Sequence, residues 1–185
     1  MLDLHLKEQM YEDSSFRLDL TPLKELAGSD VNTDSWFIVV DAKVILNEFK
    51  FLITLTDSDP HCHLMIPHSV MSELESYVSS SADMPARRIV RYLTQQIRVG
   101  HVRVGEKSDD VDGEPTNAVL STCSSLLKGN YHQVILTSDN NLLRNKHSIN
   151  IKIFTADELK SLLKPIPTEF HDTKTPTFIP KVLKK

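Results

Sequence analysis

Cys62 and Cys123 are the only cysteines in this chain of 185 residues. That is too few for a disulfide framework or a four-cysteine zinc site, so both read as reduced, partly buried thiols. Glycine is also scarce, at five residues with no repeated unit, which argues against low complexity and against a solenoid. No glycine-rich loop follows a candidate strand, which sets aside a phosphate-loop nucleotide site. No apolar run approaches the roughly 20 residues needed to cross a bilayer, and the opening "MLDLHLKEQM" lacks the basic start and apolar centre of a secretory signal. The expectation is an intracellular protein, nuclear or cytoplasmic, with no membrane partner. Aromatics make up 6% of the chain and form no visible platform for stacking bases. Twenty-one Lys and Arg against 25 Asp and Glu leave a formal charge of −4, so any attraction to nucleic acid must come from local patches.

What the chain does have is order. A hydrophobic share of 40% and a charged share of 25% suit one ordinary domain with a sizeable core. Residues 1–34 are polar and mixed, with one short apolar patch at Leu18, Leu20, Leu23 and Leu26, and read as a peripheral arm. From Trp36 the pattern sharpens: "WFIVV" is continuously apolar and β-branched, as a strand buried on both faces requires. Further apolar runs follow at 63–66, 101–105, 134–137 and 150–154. Between and after them lie segments of helical spacing at 43–56, 68–80, 85–99, 116–128, 140–147 and 155–163. The last opens on Thr155 with Glu158 three residues on, a capping box. Strands alternating with helices predict an α/β fold, a parallel sheet with helices on both faces in three layers. The domain is expected over 35–164, and the proline-containing 165–185 reads as an extended tail.

Ligands in such sheets sit beyond the carboxyl ends of the strands, and acidic residues gather there. Asp41 follows "FIVV", Asp139 follows "VILTS", and Glu73 lies in the helix after "HLMI". Carboxylates from several strand ends are what Mg²⁺ or Mn²⁺ prefers, because these hard ions take oxygen ligands and keep waters for substrate phosphates. The chemistry implied is phosphodiester hydrolysis by a metal-activated water. Taken singly, Asp41 and Asp139 read first as helix N-caps, and a Glu placed as Glu73 is commonly a solvated first-half helix residue.

The order of the pieces resembles a PIN domain. "FIVVDAKVIL" is similar to the family's apolar strand, acid and helix, "LMIPHSVMSELESY" to its second segment, "AVLSTC" to its third motif, and "VILTSDNNLLRNK" to its T-x-D motif. Together these span about residues 36–163. The "IPHSVMSEL" and "LTSDNNLLRNK" stretches look most like PIN domains of eukaryotic RNA surveillance and quality control, which are metal-dependent endoribonucleases. The resemblance implies that Asp41, Glu73 and Asp139 are the catalytic and metal-binding acids. Asn117 stands where the family usually places its third acid, and an amide is a neutral, weaker ligand. Ala42 and Lys43 replace the common Thr and Asn after the first acid; Lys43 either pairs with the carboxylates or reaches solvent. Among Asp109, Asp110, Asp112 and Glu114, Asp112 or Glu114 could substitute for the missing acid only if held rigidly.

Arg87, Arg88 and Arg91 fall on one side of a helix whose apolar Val90, Leu93 and Ile97 occupy another. Arg87 and Arg91, with Arg144 and Lys146 near Asp139, are candidates for holding an RNA backbone without reading bases. The resulting expectation is a PIN-like domain of RNA processing or surveillance with a partly degraded acidic site. It would bind Mg²⁺ or Mn²⁺ weakly, have little or no activity, and act as a module for single-stranded RNA or a protein partner in an RNA-processing assembly. The alternative is an active Mg²⁺- or Mn²⁺-dependent endoribonuclease.

Overall fold

The computed structural model describes residues 16–28, 35–107 and 115–167. Five strands form a parallel sheet in the order β4-β3-β2-β5-β6: β2 (Trp36–Val40), β3 (Cys62–Ile66), β4 (Val102–Val104), β5 (His132–Leu136) and β6 (Lys152–Phe154). β2 is central, and all five of its side chains are buried. Trp36, Ile38 and Val40 face one core, while Phe37 and Val39 face the other. That two-sided burial is why the segment is an unbroken apolar run.

One face is covered by α1 (Thr21–Ala27), α2 (Ala42–Asn47), α3 (Phe49–Ser58), α4 (His68–Ser80), α5 (Met84–Val99) and α8 (Ala156–Leu162). They bring Leu23, Ile45, Leu52, Leu74, Leu93 and Leu159 into its core. The other face is covered by α6 (Pro115–Lys128) and α7 (Asn140–Arg144), through Val119, Cys123, Leu126 and Leu142. The chain builds outward from β2 to β3 and β4 on one side, then crosses to β5 and β6 on the other. The strand order therefore reverses between β2 and β5, the point where a sheet of this kind opens a crevice at its carboxyl edge.

The helix boundaries have local causes. Asp83 caps α5 by accepting from the Ala86 backbone N–H at 3.1 Å, Pro85 starts the helix, and Gly100 ends it at φ 86°. The expected capping box at Thr155 and Glu158 is present on α8. The single helix expected over 43–56 is divided at Glu48 into α2 and α3, and Glu48 reaches across to Lys160 of α8 at 2.6 Å.

Of the arm expected over 1–34 and the tail expected over 165–185, the structure describes residues 16–28 and 165–167. β1 (Phe16–Asp19) pairs antiparallel with β7 (Lys164–Pro167), and α1 follows directly. Leu18, Leu20 and Leu23 are buried in the larger core, and the Leu18 N–H donates to Ser58 Oγ at 2.8 Å. The few leucines of this segment looked too sparse for an element because their partners lie at the far end of the chain. Residues 1–15 and 168–185 lie outside the described residues.

Candidate functional site

β2 and β5 run parallel with Val40 opposite Leu136. Asp41 and Thr137, the next residue of each strand, therefore leave the sheet side by side at the point where the order reverses. Asp41 is only 8% exposed. Its Oδ1 accepts from the Val44 N–H at 2.8 Å and so caps α2. Its Oδ2 accepts from Thr137 Oγ1 at 2.5 Å and from the Ser138 N–H at 2.8 Å. Thr137 Oγ1 in turn accepts from the Asp139 N–H at 2.9 Å. A single hydroxyl thus links the two acids.

Asp139 is half-buried and caps α7: its Oδ1 accepts from the Asn141 N–H at 2.7 Å, and its Oδ2 accepts a short hydrogen bond from Thr116 Oγ1. Both acids are thus N-caps and also members of one strand-exit pair. The two readings of the sequence coexist because a carboxylate has about four lone-pair directions, and capping uses only some of them.

Among the described residues, no hydrogen bond ties Glu73, the remaining expected acid, to this pair. Glu73 is exposed on α4, a helix that turns Val70, Met71 and Leu74 into the core and leaves Glu73 on its outer flank. Among the described residues no group of three or more His, Cys, Asp or Glu could hold a metal ion. Hydrogen bonds link the Asp41 and Asp139 strand exits through Thr137, while Glu73 stands on the exposed side of α4. Asn117 is exposed on the first turn of α6, next to the Thr116 that bonds Asp139, so the third motif does reach the site's border. Lys43 is exposed, the solvent-facing alternative. Asp109, Asp110, Asp112 and Glu114 lie outside the described residues.

Thr116, and the linking part played by Thr137, were not foreseen as site features. The only signal was that each neighbours a motif residue. Ser138 Oγ is also buried here, with no hydrogen-bond partner. Two carboxylates with a spare hydroxyl oxygen are a hard-oxygen donor set, which fits a largely hydrated Mg²⁺ or Mn²⁺ ion better than a fully caged one.

The expected RNA-binding cations divide. Arg87 is committed to the end of α4, donating to the carbonyls of Val78 at 3.2 Å and Ser81 at 2.8 Å. Lys146 pairs with Glu158 at 3.0 Å. Arg91 and Arg144 are exposed. The described helices include none long and apolar enough to cross a membrane.

The PIN domain family matches residues 38–156 of this chain. No curated protein matches it. Among solved structures, the PIN domain of human SMG5 aligns with a TM-score of 0.45 and 16% identity, covering 68% of this chain and 96% of that one. With the family matched from within β2 through β6 and across both strand-exit acids, this chain belongs to the PIN domain family.

Proposed function

We propose that this PIN domain serves RNA processing or surveillance as an RNA- or protein-binding module, with a partly degraded acidic metal site centred on Asp41 and Asp139 and with little or no nuclease activity. The observation that carries the reading is how these two acids are used: each of their four oxygens accepts at least one protein hydrogen bond. A carboxylate so satisfied has less to gain from a cation, and the family's third acidic position holds the neutral Asn117. Asp41 and Asp139 would hold the ion, which when bound supplies an activated water and neutralises charge on the departing oxygen. The link to surveillance rests on the likeness of "IPHSVMSEL" and "LTSDNNLLRNK" to PIN domains of that kind.

Labelled single-stranded RNA incubated with Mn²⁺, beside an Asp139→Asn control, tests the activity. Calorimetry on the same protein should give Mg²⁺ affinity in the weak, millimolar range of low-charge oxygen sites. Asn117→Asp combined with Lys43→Asn should tighten Mn²⁺ binding, because added negative charge beside two carboxylates raises the gain from a divalent cation. Robust cleavage by the unmodified protein, lost on Asp41→Asn, would overturn the reading and establish an active endoribonuclease.

A further inference from the structure

α5 reads "MPARRIVRYLTQQIRV", sixteen residues with four arginines and no acid, in a protein that is net negative. A solvated helix ordinarily mixes signs, because opposite charges three or four residues apart support each other and like charges repel. Here nothing on the helix offsets the arginines. Among the described residues Arg88, Arg91 and Arg98 have no ion-pair partner, and all three are exposed, as are Thr94 and Gln95 between them. At about 100° per residue, Arg88, Arg91, Gln95 and Arg98 fall within a sector of about 80°, directly opposite the buried Leu93. The stripe is about 15 Å long, ten residues at about 1.5 Å each.

One end of the stripe meets the far end of α2, opposite the N-terminus that Asp41 caps. Arg88 lines a cavity of about 550 Å³ with Leu46, Glu48, Phe49 and Lys50 at the junction of α2 and α3. α2 is the helix that Asp41 caps. Exposed Lys50 adds a further cation there.

We propose that the outer face of α5 is a phosphate rail, on which Arg88, Arg91 and Arg98 hold the backbone of one RNA strand without reading its bases. The inference rests on the RNA-directed reading above and assigns the strand's path. Every cation of the stripe is arginine, whose planar fork matches phosphate oxygens in pairs, and the intervening Thr94 and Gln95 are neutral hydrogen-bonding groups. The exposed apolar residues of α5, Met84 and Val99, lie beyond the ends of the stripe, and none interrupts it between Arg88 and Arg98. The rail needs no metal, so it works in full with Asp41 and Asp139 empty.

The test is fluorescence anisotropy on the full 185-residue chain with a labelled 20-nucleotide oligouridine RNA, in EDTA, over a salt series. The variants are Arg88→Gln/Arg91→Gln/Arg98→Gln, and Arg103→Gln as a control on the opposite sheet face where it stacks on Phe37. Each phosphate contact contributes about 0.7 to the salt slope for a single strand, so the triple variant should flatten the slope by about 2 and weaken binding about tenfold or more. Arg103→Gln should leave both unchanged, and unaltered circular dichroism and melting temperature should show that the triple variant is folded. If RNA binds but the triple variant keeps the parental slope, the rail is wrong while the RNA-directed reading stands. If no variant or parent binds RNA at any salt, both fail. If a polyglutamate peptide of equal length binds the stripe and RNA does not compete, α5 is a protein-docking face and the rail is overturned.

Discussion

Thr137 Oγ1 donates to Asp41 Oδ2 at 2.5 Å across 96 residues of chain, and the same oxygen accepts from the Asp139 N–H at 2.9 Å. The hydroxyl is fully buried and serves both strand exits at once. Thr137→Val keeps the shape and removes both bonds, leaving a buried carboxylate short of a donor. It should cost about 1–3 kcal/mol in urea denaturation, while Thr137→Ser should retain most of the stability. A valine variant as stable as the parent would show that the link carries no stability.

The N-terminal elements are held by charge as well as by leucines. Lys24 Nζ of α1 lies 2.7 Å from Asp59 Oδ2, with the two side chains 12% and 11% exposed. Asp59 also accepts from Trp36 Nε1 at 3.2 Å and from the His61 N–H at 2.9 Å. Burial alone would raise the Asp59 pKa, but the bonds from Lys24, His61 and Trp36 outweigh it and hold the pKa below 3.8. Lys24→Met strands that carboxylate and should cost on the order of 2 kcal/mol, lowering the melting temperature by several degrees. Because the folded pKa is depressed, the pair's contribution is present above 3.8 and is lost as pH falls through the folded value.

His63 gives a second pH dependence, nearer neutrality. It is half-buried, and its Nδ1 is buried without a partner. Burial lowers its pKa below 6.5, and the charges of Arg103 and His101 push the same way. As pH falls below 6.5, the unfolded chain takes up a proton that the folded one resists, so stability declines towards the folded pKa. Melting temperature followed between about pH 5 and pH 8 should show this slope, and His63→Gln should remove part of it. An unchanged slope in the variant would assign the dependence to other groups.

Thr122 on α6 is 2% exposed, and its Oγ1 has no hydrogen-bond partner. Thr122→Val keeps the shape and removes a desolvated hydroxyl, so it should be neutral or stabilising by up to about 1 kcal/mol. The space around it is tight: a Cβ on Gly105 would come within 3.1 Å of Thr122 Oγ1 and 3.3 Å of its Cγ2. Gly105→Ala should therefore cost about 1 kcal/mol or more, as overpacking does. Chemical denaturation of the two single variants measures both signs, and a destabilised valine variant would mean that the hydroxyl is satisfied in solution.

Periodicity by itself determined the βα alternation and the buried central strand from Trp36 to Val40, while short motifs carried the capping box of α8 and the resemblance to the family. These features are written locally: two-sided burial demands an unbroken apolar run, and a cap demands a short polar side chain at one position. Asp41 and Asp139 were legible because an acid after an apolar strand is visible without coordinates. What only the tertiary structure decided depends on partners distant in the chain. β1 exists because β7 completes it some 150 residues on, and Lys24 matters because Asp59 is folded beneath it. Glu73 matched its motif by spacing, yet which residues of α4 face the core was settled by Val70, Met71 and Leu74, and their burial turned Glu73 outward. Arg87 and Arg88 are adjacent and chemically identical in the sequence. Both are exposed, but the fold bonds only Arg87 to the end of α4, because neighbours on a helix point about 100° apart.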